Sequence, residues 1–284
     1  MAVAGATGAL GTALCLRLRA RGLAVRALVR AGADATRLAP AGVALATADL
    51  TAPESLEPAV AGARCVVSTA TCFPRDTAPG AIMHVDRDGN TSLVDAAERA
   101  GVERFVFVSN RPVASDFPLQ RAKRAVEQRL LESALEPVVL RPGKFMDVWF
   151  SPLCGFDAAA RRATIFGDGT APLTWIARDD VAEFAVAVVV DERRPEPVIE
   201  LGGPEALSQR DVVAIYEEAT GAPWTLDTIP ADELERRVRE PESEVAQSLA
   251  ALMLEAHRGA VTEMAPVLTR YPLQLTTVRE FAAR

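Results

Sequence analysis

Lysine, histidine and tyrosine are all scarce in this 284-residue chain, and aromatic residues make up only 5% of it. There are two histidines, His84 and His257, and four scattered cysteines, Cys15, Cys65, Cys72 and Cys154. So few ligand-type side chains without paired spacing exclude a histidine-rich or cysteine-clamped metal site, and no metal is expected. The cysteines read as reduced thiols of a cytoplasmic protein. No long apolar run is present. Phe184–Val190 falls far short of the ~20 residues that span a bilayer, so it reads as a buried helix and no membrane association is expected. The opening residues lack the basic stretch of a secretory signal. A net charge of −7 argues against nucleic acid as a partner.

The N-terminus is informative. Met1-Ala-Val-Ala precedes glycines at Gly5, Gly8 and Gly11, and a helical pattern begins at Thr12. An apolar strand, a glycine turn and a helix in that order build a dinucleotide site. Gly5 permits the tight turn, Gly8 lets the backbone approach a pyrophosphate, and Gly11 lets helix and strand pack closely. Thr7, Ala9 and Leu10 complete the cradle, whose free N–H groups receive the anion.

Strand-like runs continue at 25–29, 43–47, 65–69, 104–109, 137–141 and 198–201, with helix patterns at 11–21, 54–61, 90–100 and 120–133 between the earlier ones. This alternation predicts an α/β fold, a doubly wound parallel sheet of Rossmann type. Its coenzyme-binding domain spans 1–150, rejoined by roughly 173–203. Residues 151–284 form a smaller, mostly helical substrate lobe folded over the carboxyl end of the sheet. The stretch 142–152 reads as irregular and 164–170 as a turn, with a short strand at 224–228.

An NAD-preferring site carries an acid at the end of the second strand. Here Leu28-Val29-Arg30 ends it, and a guanidinium suits a 2′-phosphate, so NADPH/NADP+ is the expected cofactor. The other reading makes Arg30 an ordinary exposed arginine. Asp49 either accepts from the adenine amino group, with Leu50 against the ring, or caps the helix near Glu54. Ser68, Thr69 and Ala70 end the fourth strand, where small residues admit the nicotinamide-side ribose. Phe73, Phe145, Met146, Trp149, Phe150 and Trp175 cluster in the loops after strands. They line either a pocket for a planar aromatic small molecule or a hydrophobic hinge between lobes. His84 is a further substrate-side candidate.

Gly5–Gly11, Leu28–Arg30, Asp49-Leu50, Asp86–Ser109, Leu140–Met146 and Asp180–Ala182 together resemble the atypical short-chain dehydrogenase/reductases of the NmrA-like group. The resemblance covers nearly the whole chain and weakens beyond Ser208. It implies a Rossmann core, a small substrate lobe and a nicotinamide coenzyme, in proteins that are either reductases or sensors of NADP(H). In the wider superfamily a Tyr-x-x-x-Lys pair, aided by a serine, moves the proton. Lys123 matches the lysine, but Leu119 stands where the tyrosine belongs. The two tyrosines, Tyr216 and Tyr271, lie in the tail.

A leucine cannot donate a proton, which leaves three readings. The first is a ketoreductase acting on a bulky, polycyclic aromatic (polyketide-type) metabolite. Its proton comes from Lys123, from Ser109 through water, from His84, or from a phenol beside the substrate's own carbonyl; Lys123 otherwise serves as a ribose ligand alone. The second is a non-catalytic NADP(H) sensor with a protein partner. The third is an isomerase or ether-cleaving reductase with lysine as base. A monomer or homodimer is expected.

Overall fold

The computed structural model describes all of residues 1–284 and divides into two compact units. The first comprises 1–110, 118–141 and 181–199; the second comprises 111–117, 142–180 and 200–284. This boundary differs from the expected one at 150. Residues 142–150 and 111–117 go with the second unit, and helix Arg178–Val190 lies mostly in the first.

The first unit holds β1 (Ala2–Ala4), α1 (Ala9–Ala20), β2 (Arg26–Val29), β3 (Ala44–Thr47), α2 (Leu56–Val60), β4 (Cys65–Ser68), α3 (Asn90–Arg99), β5 (Arg104–Val108), α4 (Pro118–Leu131) and β6 (Glu136–Pro142). With the later strand Val198–Leu201 they form a seven-stranded sheet. From that strand the order runs β6-β5-β4-β1-β2-β3, and the pairings among β1–β6 are parallel. The strands are rich in Val, Leu, Phe and Ala because helices cover both faces. Leu93, Val94, Phe105, Phe107, Val126 and Leu130 pack with almost no exposure. The order reverses between β1 and β4, the switch point where such sheets hold ligands.

One element escapes the 3.6-residue period. Ile82–Gly89 is a π-helix running directly into α3. Such wide turns are rare and concentrate at functional sites. Gly89 permits a close approach: a Cβ there would lie 2.7 Å from the Leu50 side chain.

The second unit has two three-stranded sheets. One pairs Leu173–Ile176 with Lys144–Phe145 and with Ala206–Leu207. The other pairs Arg162–Phe166 with Phe156–Asp157 and with Thr225–Ile229. The stretch expected as a turn at 164–170 is therefore a strand up to Phe166, and only Gly167–Gly169 turns, both glycines having positive φ (+68° and +70°). No helix is long and apolar enough to cross a membrane.

Candidate coenzyme site

The turn after β1 is built by close backbone approach. Gly5 has φ +72°, and a Cβ on it would stand 2.7 Å from the Ala70 nitrogen. A Cβ on Gly11 would meet the Gly5 carbonyl oxygen at 2.2 Å and Ala6 Cα at 2.8 Å. The turn is fixed from within: Gly8 N–H donates to Gly5 O at 3.0 Å, and the buried Thr12 hydroxyl donates to Ala6 O at 2.8 Å. Thr12 was not singled out in the sequence, since threonine inside a helical pattern carries no such signal.

Gly8 is the N-cap of α1 and supplies no side-chain acceptor, and no acid occupies the first turn. The leading N–H groups, beginning at Ala9 and Leu10, thus have no intrahelical partner, and the positive end of the helix dipole is uncompensated. Thr7 and Ala9 are exposed, Gly8 and Leu10 half-buried. This cradle suits a pyrophosphate in shape and charge.

Arg30 follows β2 and is exposed; its carbonyl accepts from Ala33 N–H at 3.0 Å, and its guanidinium makes no ion pair or hydrogen bond in the structure. Its charge and that of His84 act on Asp49, though the Thr51 amide chiefly holds the Asp49 carboxyl below its usual range. Asp49 Oδ1 accepts from Thr51 N–H at 2.9 Å and from its hydroxyl at 2.8 Å. The aspartate therefore closes a turn on its own residues. Its amide donates to Ser55 Oγ at 2.9 Å. Leu50 is half-buried beneath Gly89. His84 is exposed on the π-helix, grouped electrostatically with Asp49 and Asp88.

The end of β4 is wired inward. The Ser68 hydroxyl is fully buried and donates to Asn90 Oδ1 at 2.6 Å. Thr69 donates from both its amide and hydroxyl to Ala4 O at 3.1 Å, tying β4 to β1. Ala70 lies against Gly5, and Phe73 is half-buried in the loop beyond.

Lys123 lies on α4 with 5% of its surface exposed. Its Nζ is 3.1 Å from Asp86 Oδ1 on the π-helix and 5.1 Å from the Phe107 ring centroid. Leu119, one turn earlier, is buried. The Ser109 hydroxyl accepts from Arg124 at 2.9 Å, and its amide donates to Leu140 O at 2.8 Å. Lys123 and Ser109 are thus held by separate partners. Asp86, Asn90 and Cys72 were missed in the sequence. They come together through contacts between the β4 loop, the π-helix and α4, which no local spacing announces.

In the second unit, Trp149, Phe150 and Trp175 form a core with Phe156, Phe166 and Tyr216, the Phe150 and Trp175 centroids being 5.1 Å apart. Trp175 is 2% exposed and Met146 fully buried. Phe145 is half-buried at the start of the short helix Met146–Trp149. The space among Trp149, Phe150, Phe166, Trp175 and Gln209 is about 20 Å³, room for about one water molecule. These rings pack chiefly on one another. Beside them, Lys144 Nζ donates to Leu252 O at 3.0 Å and to Glu255 Oε2, and stands 4.6 Å from the Trp149 ring centroid. No group of His, Cys, Asp or Glu is arranged to hold a metal ion.

Residues 5–192 match the NAD(P)H-binding family model. The chain is 30% identical over 250 residues to the photosystem II assembly factor Ycf39 of Cyanophora paradoxa, covering 82% of this chain and 72% of the relative. It is 28% identical over 291 residues to an NAD(P)H azoreductase of Xenophilus azovorans, covering 99% and 96%. The Citrobacter triphenylmethane reductase complexed with NADP(H) has the same fold, with a TM-score of 0.80, 20% identity and coverage of 99% and 98%. The chain belongs to the NAD(P)H-binding family, among the atypical, NmrA-like short-chain dehydrogenase/reductases, and its cofactor is NAD(P)H.

Proposed function

We propose that the protein is an NADPH-dependent ketoreductase that transfers hydride to a carbonyl of a bulky, planar, polycyclic aromatic compound. The observation that carries this reading is the buried Lys123 ammonium beside Asp86, with Leu119 in place of an acid. Ketone reduction needs a hydride at carbon and a proton at oxygen. Bound NADPH supplies the hydride. Lys123 contributes an N–H and a positive charge for the oxygen as it becomes an alkoxide, which a water-poor site makes strong. The azoreductase relative, aligned over nearly its whole length, supports a conjugated acceptor. The aromatic core of the second unit does not, since its rings are occupied with each other.

The test is NADPH oxidation against a panel of polycyclic ketones and quinones. Lys123→Met is expected to lower kcat about 10²-fold or more, and Ser109→Ala less than tenfold. Turnover within tenfold for both variants assigns the proton to a phenol on the substrate itself. Coenzyme selection rests on Arg30. Losing a charge-assisted fork of about 1.5–3 kcal/mol predicts that Arg30→Glu raises the KM for NADPH about 10–100-fold, with little change for NADH. An equal rise for both coenzymes contradicts the assignment.

A second reading is favoured by Leu119 and by the Ycf39 relatives: an NADP(H)-binding protein that acts on a protein partner without turnover. Tight coenzyme binding, a stoichiometric partner complex and no oxidation across the panel would decide for it.

A further inference from the structure

The Lys123 ammonium has three donors, yet none makes a well-aligned hydrogen bond in the structure; Asp86 Oδ1 at 3.1 Å is a charge contact without hydrogen-bond geometry. The other carboxylate oxygen, Oδ2, is fixed by the Cys72 amide and thiol, both at 3.1 Å. Asp86 is fully buried. Its backbone carbonyl accepts from Asn90 Nδ2 at 3.3 Å, and Asn90 also reaches Ala70 O and Val85 O. The π-helical turn thus aims one carboxylate at Lys123 and has it held from behind.

We infer that Asp86 is the positioning residue for Lys123: anchored by Cys72, it gives the lysine its buried counter-ion and leaves its N–H groups directed elsewhere. This rests on the reading of Lys123 as the group that meets the acceptor oxygen. Acids on the neighbouring elements are engaged with other partners, as Asp76 is with Ala78 N–H at 3.0 Å. On the π-helix, Arg87 pairs with Asp88, and His84 is exposed. On α3, Asp95 and Glu98 pair with Arg129. On α4 itself, Glu127 lies between Arg124 and Arg141. Burial first, and then the hydrogen bond to Asp86, push the Cys72 thiol up to about 12, so it remains a donor.

The chain's lysine content makes the test direct, because Lys123 and Lys144 are its only two lysines. Lysine labelled with ¹³C at Cε gives two side-chain signals, assigned with Lys123→Met. In D86N the charged lysine loses its counter-ion inside the protein, which disfavours protonation. The Lys123 titration midpoint is expected to fall by about one pH unit or more, while the Lys144 signal stays in place. An unmoved Lys123 midpoint overturns the inference. If D86N does not fold, the double variant D86N/K123M decides. A neutral pair that restores cooperative unfolding supports the inference, and a double variant that stays unfolded overturns it. None of these readouts needs a substrate. Failure of the reductase reading would instead appear as absent NADPH oxidation with the midpoint shift intact.

Discussion

Gly11→Ala is expected to abolish measurable NADPH binding. Gly11 is helical, so its requirement is space rather than a left-handed backbone. The added methyl would sit 2.2 Å from the Gly5 carbonyl oxygen and 2.8 Å from Ala6 Cα. Both are backbone atoms that no rotamer change can withdraw, so α1 must move away from β1. Hydrogen bonds to a charged group contribute about 1.5–3 kcal/mol each. Losing two amides of the cradle removes about 3–6 kcal/mol, a drop in affinity of more than a hundredfold. The fold also loses about 1–3 kcal/mol through overpacking. Gly22→Ala is the control, because Gly22 has positive φ but no atom near its Cβ position. It carries backbone strain alone and should leave the coenzyme dissociation constant unchanged. Calorimetric titration of both variants checks the contrast, and equal affinities would show that close packing of α1 is not what shapes the site.

Glu255→Gln is expected to be the most destabilising isosteric change in the second unit. Lys144 is 5% exposed, and burial pushes its ammonium below the ordinary 10.5 even with Glu255 alongside. The groups acting on it are Glu255, Cys154 and Arg111, and Arg111 opposes the positive charge. With the carboxylate gone, a buried charge is left without a counter-ion, which typically costs about 3–5 kcal/mol. Deprotonation sets the ceiling: at about 1.4 kcal/mol per pH unit, neutralising the amine at pH 7 costs no more than about 5 kcal/mol. The sign follows from proton counts. A lysine whose folded pKa is depressed binds fewer protons folded than unfolded, so stability rises with pH from the depressed value up to 10.5. Glu255→Gln widens that window downward. Urea unfolding should show the large deficit at pH 7 and a smaller one at pH 10. A deficit equal at both values would mean that packing, not charge, was lost.

What could be read from the sequence follows the range of the physics behind each signal. The glycine turn is local: β1, Gly5–Gly11 and α1 are contiguous, and three spacings specify close approach. The alternation of apolar runs and helical patterns likewise gave the succession of β1–β6 along the chain and their parallel sheet, though not their order within it. Asp86 was hidden because its meaning depends on a π-helical turn that shifts it onto α4, more than thirty residues from Lys123 in sequence. The aromatic residues around Trp149 left two readings open for a different reason. Ring faces that suit a planar ligand suit other rings equally well, and only the positions of Phe156, Phe166 and Tyr216 distinguish a pocket from a core. The strand Arg162–Phe166 was masked by Gly167 and Gly169, which punctuate its end so strongly that the pairing before them was overlooked.

The burial of both lysines also shapes the exterior. All but two of the 31 basic side chains are arginine, and the two exceptions point inward. Every cationic side chain on the outside, the two histidines aside, is therefore a guanidinium, which keeps its proton at any pH the fold survives. Electrostatic attraction to an anionic neighbour through that surface would not be tuned by alkaline conditions. Reagents that acylate primary amines would find no lysine there.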